Sequence, residues 1–477
     1  MRILGEIDLD DLLTKPSSTF YRFLISIKKA VFEDDERIIL RAYNDLPSDL
    51  IEHLIWAINY TDIPEYFIIL ETNSQKNKDA LASIKNQPLY KSKTLIDHGS
   101  TPRFDHLSLC GHMYAGLHVW PDGTVSPCCD YTGSLKDSKG LEYTIHEHKL
   151  SDIFNSESME DLRRQMTSQN KPSGCITCFE QEASGRESRR TLAPYRLDNL
   201  YGEINWESDN PIRYIGSHPT NHCNLSCRIC NSMYSSVIEA EDRQQGKVRP
   251  KIKRAIDPLY DQMHAMDEIK SFEILGGEPF VMNRHLDFMK HIISNGVAER
   301  STFQFTTNGT VFPDFFLERP KFKRLEITFS IDDINDRFEY QRNKAHWKNV
   351  LDNIESFKQL RDGKNDVKLG INITVSILNV FYLPELIEWF ESSGLDHHNF
   401  TILTKPKYLA IGNMTDQARV LVLSKLDSRF DFIKYIIKSS EGSDGRDFVS
   451  NIKMKDALRN QDFRTHHSDI ARAMGYN

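Results

Sequence analysis

The sequence has no run of about 18 or more apolar residues, so we expect no membrane-spanning helix. Its first six residues turn acidic at once and lack the apolar core of a signal peptide. Positive charge is not in excess either, and the net charge of −8 argues against a generic nucleic-acid binder. We therefore expect neither a membrane nor a nucleic acid among its partners.

Cysteine is scarce, with eight in 477 residues, but three of the eight form one short run. The run reads Cys223-Asn-Leu-Ser-Cys227-Arg-Ile-Cys230. Thiolates are soft ligands that favour iron–sulfur clusters or zinc, and both usually take four protein ligands. Three thiols would leave one iron of a cluster open to a small molecule, which is a catalytic arrangement. The alternatives are half of a zinc site, or two ligands beside a buried thiol.

Residues 205–411 alternate between strand-like and helix-like stretches. The strand-like runs are Arg213–Pro219, Ser271–Leu275, Thr302–Thr306, Arg324–Ser330, Val367–Val375 and Asn399–Leu403. Between them lie the helix-like stretches Pro250–Met266, Arg284–Ser294, Trp347–Leu360 and Leu383–Ser392. This order predicts an α/β fold with parallel strands, in the form of a partial (βα)6 TIM-like barrel. In such barrels the chemistry lies at the carboxyl ends of the strands, and the cysteine run follows the first strand.

Three further motifs follow predicted strands. They read Leu275-Gly276-Gly277-Glu278-Pro279-Phe280, then Thr307-Asn308-Gly309-Thr310, then Ser330-Ile-Asp332-Asp333 with Glu339 and Arg342 after it. Glycine at a strand end lets the backbone approach a ligand closely. A carboxylate beside exposed carbonyl groups suits an ammonium group, so the first of these motifs predicts a ligand site.

Taken together, these motifs resemble the radical SAM superfamily. The resemblance implies that Cys223, Cys227 and Cys230 hold a [4Fe–4S] cluster whose open iron is chelated by S-adenosylmethionine (SAM). The SAM contacts that it implies are Gly276, Gly277, Glu278 and Pro279 for the amino group, Asn308 on the rim, Ser330 and Asp332 for the ribose, and Arg342 for the carboxylate. Asp333 stands where the family often has glycine. Alternatively, Arg342 forms a surface ion pair with Glu339, three residues earlier on a helix.

The other five cysteines, Cys110, Cys128, Cys129, Cys175 and Cys178, precede the barrel. Asp122-Gly123 predicts a hairpin that brings Cys110 near Cys128. An amphipathic stretch, Asp152–Met166, then leads to the chelating pair Cys175-Ile-Thr-Cys178. Four thiolates could hold a cluster, or alternatively a structural zinc ion.

This segment resembles the auxiliary-cluster modules of radical SAM enzymes called SPASM and Twitch. The resemblance implies one auxiliary [4Fe–4S] cluster, because the later cysteines of a second SPASM cluster are absent. The spacing from Gly123 favours Cys128 over Cys129 as a ligand, so Cys129 is interpreted as a bystander. His112 and His118 are interpreted as packed or solvent-facing. Here the module precedes the barrel, whereas it commonly follows it.

Four domains are predicted: residues 1–100, a small α/β domain; 101–204, the auxiliary module; 205–411, the barrel; and 412–477, a helical extension. The first contains a predicted strand Arg37–Arg41, helix Ser48–Asn59 and strand Tyr66–Glu71, a Rossmann-like pattern without a GxGxxG loop. We interpret it as a platform for substrate or partner. The extension, with helices Thr415–Leu426 and Phe430–Ser439, is expected to cover the open side of the barrel.

The resemblance implies an enzyme that reductively cleaves SAM to a 5′-deoxyadenosyl radical, which takes a hydrogen atom from a substrate C–H bond. The auxiliary cluster favours an oxidoreductase that oxidises or cross-links a peptide or protein side chain. A small molecule, such as an aminocyclitol or nucleotide, is the alternative substrate, and a non-catalytic metal-binding scaffold is a third hypothesis. The expected electron donor is a flavodoxin or ferredoxin. Eight cysteines fit cluster ligands better than disulfides, which indicates a reducing cytoplasm.

Overall fold

The computed structural model describes residues 2–8, 36–42, 68–72 and 110–476, except 169, 184–187, 191–209, 248–252, 265, 267, 362 and 364–365. The chain divides into two compact units, Met1–Cys110 with Gln165–Tyr195, and Gly111–Arg164 with Arg196–Asn477. Within the described ranges, no helix is long and apolar enough to cross a membrane.

The first unit contains a parallel three-stranded sheet in the order β1-β2-β3. Its strands are β1 (Arg2–Asp8), β2 (Glu36–Ala42) and β3 (Ile68–Thr72). The two predicted strands of this region overlap β2 and β3, whereas β1 was not predicted. The predicted helix Ser48–Asn59 lies outside the described residues.

The second unit is built on an eight-stranded sheet in the order β5-β4-β6-β8-β9-β10-β12-β13. Its strands are β4 (Gly116–Val119), β5 (Val125–Ser126), β6 (Tyr214–Ser217), β8 (Ser271–Ile274), β9 (Thr302–Thr307), β10 (Arg324–Ser330), β12 (Asp366–Val375) and β13 (His397–Ile402). Only the pairing of β5 with β4 is antiparallel. A two-stranded ribbon adds β7 (Ser226–Cys227) and β11 (Arg342–Asn343).

The predicted α/β class is therefore confirmed, and the six predicted barrel strands match β6, β8, β9, β10, β12 and β13 to within two residues at each end. The sequence did not predict that β4 would join this sheet. It pairs in parallel with β6, so the Asp122-Gly123 hairpin extends the sheet beyond its first barrel strand. Gly123 takes the positive φ of +89° that the turn requires.

The helices of the described residues belong to both units. They are α1 (His112–Ala115), α2 (Leu150–Phe154), α3 (Glu157–Thr167), α4 (Ile176–Ala183), α5 (Ser236–Gln244), α6 (Ile256–His264), α7 (Asn283–Ser294), α8 (Val297–Arg300), α9 (Asn335–Gln341), α10 (Trp347–Lys358), α11 (Leu383–Ser392), α12 (Asp416–Lys425), α13 (Asp431–Ser439), α14 (Arg446–Arg459), α15 (Phe463–His466) and α16 (Ser468–Ala471). The amphipathic stretch Asp152–Met166 is two helices rather than one. The second begins after Ser156, whose hydroxyl accepts a hydrogen bond from the N–H of Met159 at 3.4 Å.

The two faces of the large sheet differ in polarity, because alternate side chains of a strand point to opposite faces. One face is apolar and packs on the helices: Phe272 stacks on Phe303 with ring centroids 4.6 Å apart, and Phe288 of α7 contacts it. The other face carries a row of paired polar residues, Glu273, Gln304, Glu326 and Lys368. The hydrophobic core thus lies under the helices, and the opposite face is left polar.

Candidate active site

The carboxyl ends of four parallel strands bring the cysteine run and the three other motifs to one edge of the sheet. β6 ends at Ser217, β8 at Ile274, β9 at Thr307 and β10 at Ser330, and a predicted motif follows or includes each end. Loops at this edge of a parallel sheet converge, and ligands commonly bind there.

The cysteine loop is held in shape by the start of α5. The Ser236 hydroxyl accepts a hydrogen bond from the N–H of Cys223 (3.3 Å) and donates one to the Cys223 carbonyl (3.2 Å). The Ser235 hydroxyl donates to the Leu225 carbonyl at 2.7 Å. Cys227 lies on β7, where it pairs with Arg342 of β11. Polar contacts from both sides therefore set the path of this loop.

The three thiols of the loop lie close enough to perturb one another's ionisation. Burial, with a contribution from Cys227, raises the pKa of both Cys223 and Cys230 to about 12. Burial also raises the pKa of Cys227, while the Arg342 guanidinium lowers it. Such thiols ionise readily only beside a bound cation, and the thiolate is the form that binds metal.

This donor set fits a four-iron cluster better than a single ion, because it supplies three soft ligands and no fourth. Within the described part of the chain, no three His, Cys, Asp or Glu side chains are arranged to hold one metal ion.

The two glycines of the second motif lie directly against the first loop. Gly277 has a φ of +60°, and a Cβ there would lie 2.3 Å from the carbonyl oxygen of His222. Gly276 has a φ of +61°, and a Cβ there would lie 2.2 Å from the ring of His218. Both positions therefore require glycine. The N–H of Glu278 donates to the same His222 carbonyl at 2.8 Å, so the two loops form one structure.

Glu278 is fully buried, and its carboxylate is hydrogen-bonded by other groups of the protein. Its carboxylate accepts hydrogen bonds from the N–H of Phe280 (3.2 Å), the hydroxyl of Thr307 (2.7 Å) and the N–H of Asn308 (2.6 Å). Burial raises the pKa of this carboxyl to about 7, against the lowering effect of those bonds. The Glu278 side chain thus connects the motif at residues 275–280 with the motif at residues 307–310. Pro279, also buried, begins the short 3-10 turn Pro279–Val281.

Asn308 links the third motif to the cysteine loop. Its side-chain amide donates to Asn224 Oδ1 at 2.9 Å, and the amide of Asn224 donates in turn to the Thr310 hydroxyl at 2.8 Å. The side-chain oxygen of Asn308 accepts a hydrogen bond from the N–H of Thr310 at 2.9 Å. These bonds connect the residue after Cys223 with the end of β9.

Asp332 and Arg342 form a buried ion pair, with 2.7 Å between Oδ2 and a guanidinium nitrogen. The alternative that Arg342 forms a surface pair with Glu339 is wrong, because Arg342 is only 6% exposed and Glu339 instead accepts a hydrogen bond from the N–H of Trp347. Arg342 also donates to the sulfur of Cys227 at 3.8 Å. The pair therefore connects the end of β10 with a thiol of the first loop.

Ser330 and Asp333, the remaining residues of the motif at the end of β10, lie in different surroundings. Ser330 ends β10 and is half-buried. Asp333 is buried, and its carboxylate accepts hydrogen bonds from the N–H of Ile334 (2.9 Å) and from Arg337 (3.0 Å) at the start of α9. Burial raises the pKa of Asp333 to about 7.

A cluster of rings joins the hairpin to the cysteine loop, and sequence reasoning passed over most of it. His118 on β4 is buried, and its Nε2 lies 2.8 Å from Nδ1 of His218, the residue after β6. The indole of Trp120 stacks on His218 at 5.2 Å between ring centroids, and Tyr234 lies on His218 at 5.1 Å. His218 lies near the carboxyl end of the predicted strand Arg213–Pro219, and that position was the available signal.

In the first unit, Cys110, Cys175 and Cys178 lie together. Burial, followed by Cys110 and Cys178, raises the pKa of Cys175 to about 12, and Arg190 lowers it. Cys175 ends the 3-10 turn Ser173–Cys175, and Cys178 is in the first turn of α4. Arg190 lies over the ring of Phe179 at 4.8 Å. Cys110 and Cys178 thus lie near enough to Cys175 to affect its ionisation.

The fourth predicted auxiliary ligand, Cys128, belongs to the other unit. It is buried just after β5, and its carbonyl accepts a hydrogen bond from the Ser126 hydroxyl at 2.9 Å. Cys129 is half-buried and its sulfur lies 3.9 Å from a carboxylate oxygen of Asp130. The choice of Cys128 over Cys129 stays a prediction.

Two family models match the sequence. Residues 217–402 match the radical SAM superfamily, and residues 110–179 match an iron–sulfur cluster-binding domain named SPASM. The two ranges together span more than half of the chain and contain all eight cysteines. A search of curated protein sequences found no match.

Solved structures show a more distant similarity. One, "Native anSMEcpe with bound AdoMet", is 19% identical with a TM-score of 0.33, over 49% of this chain and 63% of that one. The same protein "with bound AdoMet and Cp18Cys peptide" is 16% identical with a TM-score of 0.33, over 53% of this chain and 67% of that one. Streptococcus suis SuiB bound to S-adenosylmethionine is 13% identical with a TM-score of 0.29, over 72% and 74%. The family models carry the assignment, and these structures add no argument to it.

Proposed function

The chain belongs to the radical SAM superfamily, with its SPASM-type domain ahead of the radical SAM domain, and we propose that it is a peptide-modifying enzyme. When bound, the cluster of the cysteine loop would supply the electron that cleaves SAM to methionine and a 5′-deoxyadenosyl radical, which can take a hydrogen atom from a substrate side chain. The observation that carries this proposal is the three-thiol loop packed on Gly276 and Gly277 at the carboxyl ends of the strands.

The chain's own residues would hold the cofactors as follows. Cys223, Cys227 and Cys230 are the cluster ligands. Gly276, Gly277 and Pro279 would offer backbone groups to the SAM amino group. Asn308 and Ser330 lie on the same rim.

The structure supports a positioning role, rather than direct ligation, for the charged residues of the motifs. Three hydrogen-bond donors of the protein already bond the Glu278 carboxylate. Glu278 would therefore act on SAM indirectly, by fixing the backbone of Gly276 and Gly277. Likewise, Asp332 orients Arg342, and Arg342 in turn places a positive charge beside the sulfur of Cys227.

Cys110, Cys175 and Cys178, with Cys128 as the fourth, would hold one auxiliary [4Fe–4S] cluster. Such a cluster could accept the electron that a net oxidation of the substrate releases, which favours an oxidoreductase. A flavodoxin or ferredoxin would supply the first electron. The cluster and such an electron donor both function in a reducing environment, so we expect the enzyme to lie in the cytoplasm.

The polar face of the sheet supports a polar substrate. Towards the carboxyl ends of β9, β10 and β12 it presents the half-buried side chains of Thr306, Thr328, Ser330 and Asn372, and β10 is half-exposed on this face and buried on the other. A peptide has a polar backbone that such a face can bind by hydrogen bonds. The same hydroxyl and amide groups could also bind an aminocyclitol or another polar small molecule, which is the second candidate substrate.

The test is anaerobic reconstitution with iron and sulfide, followed by reduction in the presence of SAM. We expect 5′-deoxyadenosine, measured by chromatography and mass spectrometry, and its absence would refute the enzyme assignment in favour of a scaffold. Deuterium transfer into 5′-deoxyadenosine from labelled candidate peptides, compared with labelled aminocyclitols, then identifies the substrate class. Transfer only from the small molecules would refute the peptide proposal.

A further inference from the structure

Arg228 lies in the turn Cys227–Cys230 of the cysteine loop and is fully buried. Its guanidinium donates to the Tyr340 carbonyl at 3.0 Å, to Asp456 Oδ1 at 2.5 Å and to Gln461 Oε1 at 2.8 Å. The same group lies 3.6 Å from the centroid of the Tyr340 ring. A side chain between two predicted iron ligands is thus held by the carboxyl-terminal extension, far away in sequence.

Asp456, on α14, is the centre of this contact and is 4% exposed. Besides the bond from Arg228, its carboxylate accepts bonds from the hydroxyls of Tyr340 and Tyr476 and from the N–H of Phe463, each at 2.8 Å. A buried ion pair seldom adds net stability over an apolar core, but it can fix one geometry. The planar guanidinium, bonded on several sides, leaves the turn little freedom to shift.

The same helix also contacts α5, whose first residues hold the cysteine loop. Arg459 is 2% exposed and pairs with Glu241 of α5 at 2.9 Å. A second contact of the carboxyl-terminal extension therefore reaches an element that supports the thiols.

We propose that α14 is a positioning element of the cysteine loop: Asp456 fixes Arg228 and thereby the turn Cys227–Cys230, while Arg459 holds α5 through Glu241. This helix lies beyond residue 402, where the match to the radical SAM family ends. It was expected only to cover the open side of the barrel. The inference rests on the proposed function in one respect, that the loop holds a cluster.

The first test replaces Asp456 by Asn in the full-length, anaerobically reconstituted protein. We expect the loss of at least two thirds of the electron paramagnetic resonance (EPR) signal that responds to SAM. The signal of the auxiliary cluster should stay unchanged. Asp447→Asn is the matched control, because Asp447 is an exposed carboxylate of the same helix. Wild-type SAM-responsive signal in the Asp456 variant would overturn the positioning role.

The second test breaks the other contact of the helix. In Arg459→Gln we expect the SAM-responsive EPR signal to fall by at least half, with the signal of the auxiliary cluster unchanged. Arg446→Gln removes one charge from the same helix at a residue whose side chain is 89% exposed, and it should leave the SAM-responsive signal at the wild-type level. Equal signals in the two variants would refute a role for the Arg459 contact.

The two proposals fail in different ways. If the wild-type protein has no SAM-responsive cluster, the proposed function is wrong and this inference falls with it. If the wild type has one and both variants behave like their controls, only the inference is wrong.

Discussion

The two sets of cysteines differ in what holds them. Cys223, Cys227 and Cys230 belong to one loop, which is fixed by α5, by β11 and by α14. The auxiliary set runs from Cys110 to Cys178, and Cys128 belongs to a different compact unit from the other three. A loop of the first kind can be set by the protein alone, whereas ligands scattered along the chain make metal binding a part of folding.

The largest effect is expected from replacing Cys223, Cys227 and Cys230 together by Ala. Anaerobically reconstituted protein should hold about eight irons in two clusters, and this variant about four. 5′-Deoxyadenosine formation should stop, because no cluster remains to reduce SAM. The thermal unfolding midpoint should change little, since chain contacts already set the loop. Retained SAM cleavage would contradict the assignment of the loop, and a large loss of stability would contradict the contrast.

Replacing Cys175 and Cys178 together by Ala should have the opposite effect, in which SAM cleavage is kept and local stability is lost. We expect uncoupled SAM cleavage to survive and product formation to fail, because the thiols that start the reaction lie in the other set. Limited proteolysis should cut residues 110–183 faster than in the loop variant, because the bound cluster would join segments far apart in sequence. Metal analysis is the check: zinc without iron in the loop variant would mean that this second set is a structural zinc site.

The parts that could be predicted from the sequence were those carried by local signals. Ligand spacing gave the cysteine loop, and turn residues after β-branched or aromatic runs located the ends of β6, β8, β9 and β10. The sequence also indicated which residues share the rim, because carboxyl ends of parallel strands meet at one edge.

Contacts between distant residues could not be predicted in the same way. Asp332 and Arg342 were expected to contact SAM separately, whereas they bond each other. Arg228 and Asp456 are 228 residues apart in the chain. The addition of β4 to the sheet was also missed, because its few residues carry no signal for their partner strand. In each case the partner depends on the tertiary fold, which neither spacing nor periodicity records.

A smaller effect, confined to the cysteine loop and its SAM site, is expected from Gly277→Ala. The residue has a φ of +60°, and the new Cβ would lie 2.3 Å from the His222 carbonyl oxygen. Backbone strain of this kind costs about 1–3 kcal/mol, and the clash would displace the cysteine loop as well. Gly296→Ala is the matched control, because Gly296 has a φ of +75° with no other atom within 4 Å of its added Cβ.

We expect Gly277→Ala to weaken SAM binding, measured by calorimetry, much more than Gly296→Ala, at similar auxiliary-cluster content. If both variants bind SAM equally well, the close approach of the two loops has no role in the site.

The smallest expected effect concerns how the stability of each compact unit responds to acid. His285 on α7 is fully buried, lies 2.8 Å from the Tyr260 hydroxyl, and burial lowers its pKa to about 3. The folded state therefore favours the neutral imidazole, so its stability is complete above the ordinary pKa of 6.5 and falls as the pH drops from 6.5 towards 3. The loss should reach about 2 kcal/mol at pH 5, an increase of about 30-fold in hydrogen exchange of amides that exchange by unfolding of the barrel strands. His285→Gln should remove this contribution and leave the part that comes from other buried histidines such as His467, whereas His291→Gln, at an exposed position of the same helix, should keep the full acid sensitivity. Residues 170–183, in the other unit, should show no such dependence on residue 285, and an equal response there would mean that the two regions unfold together.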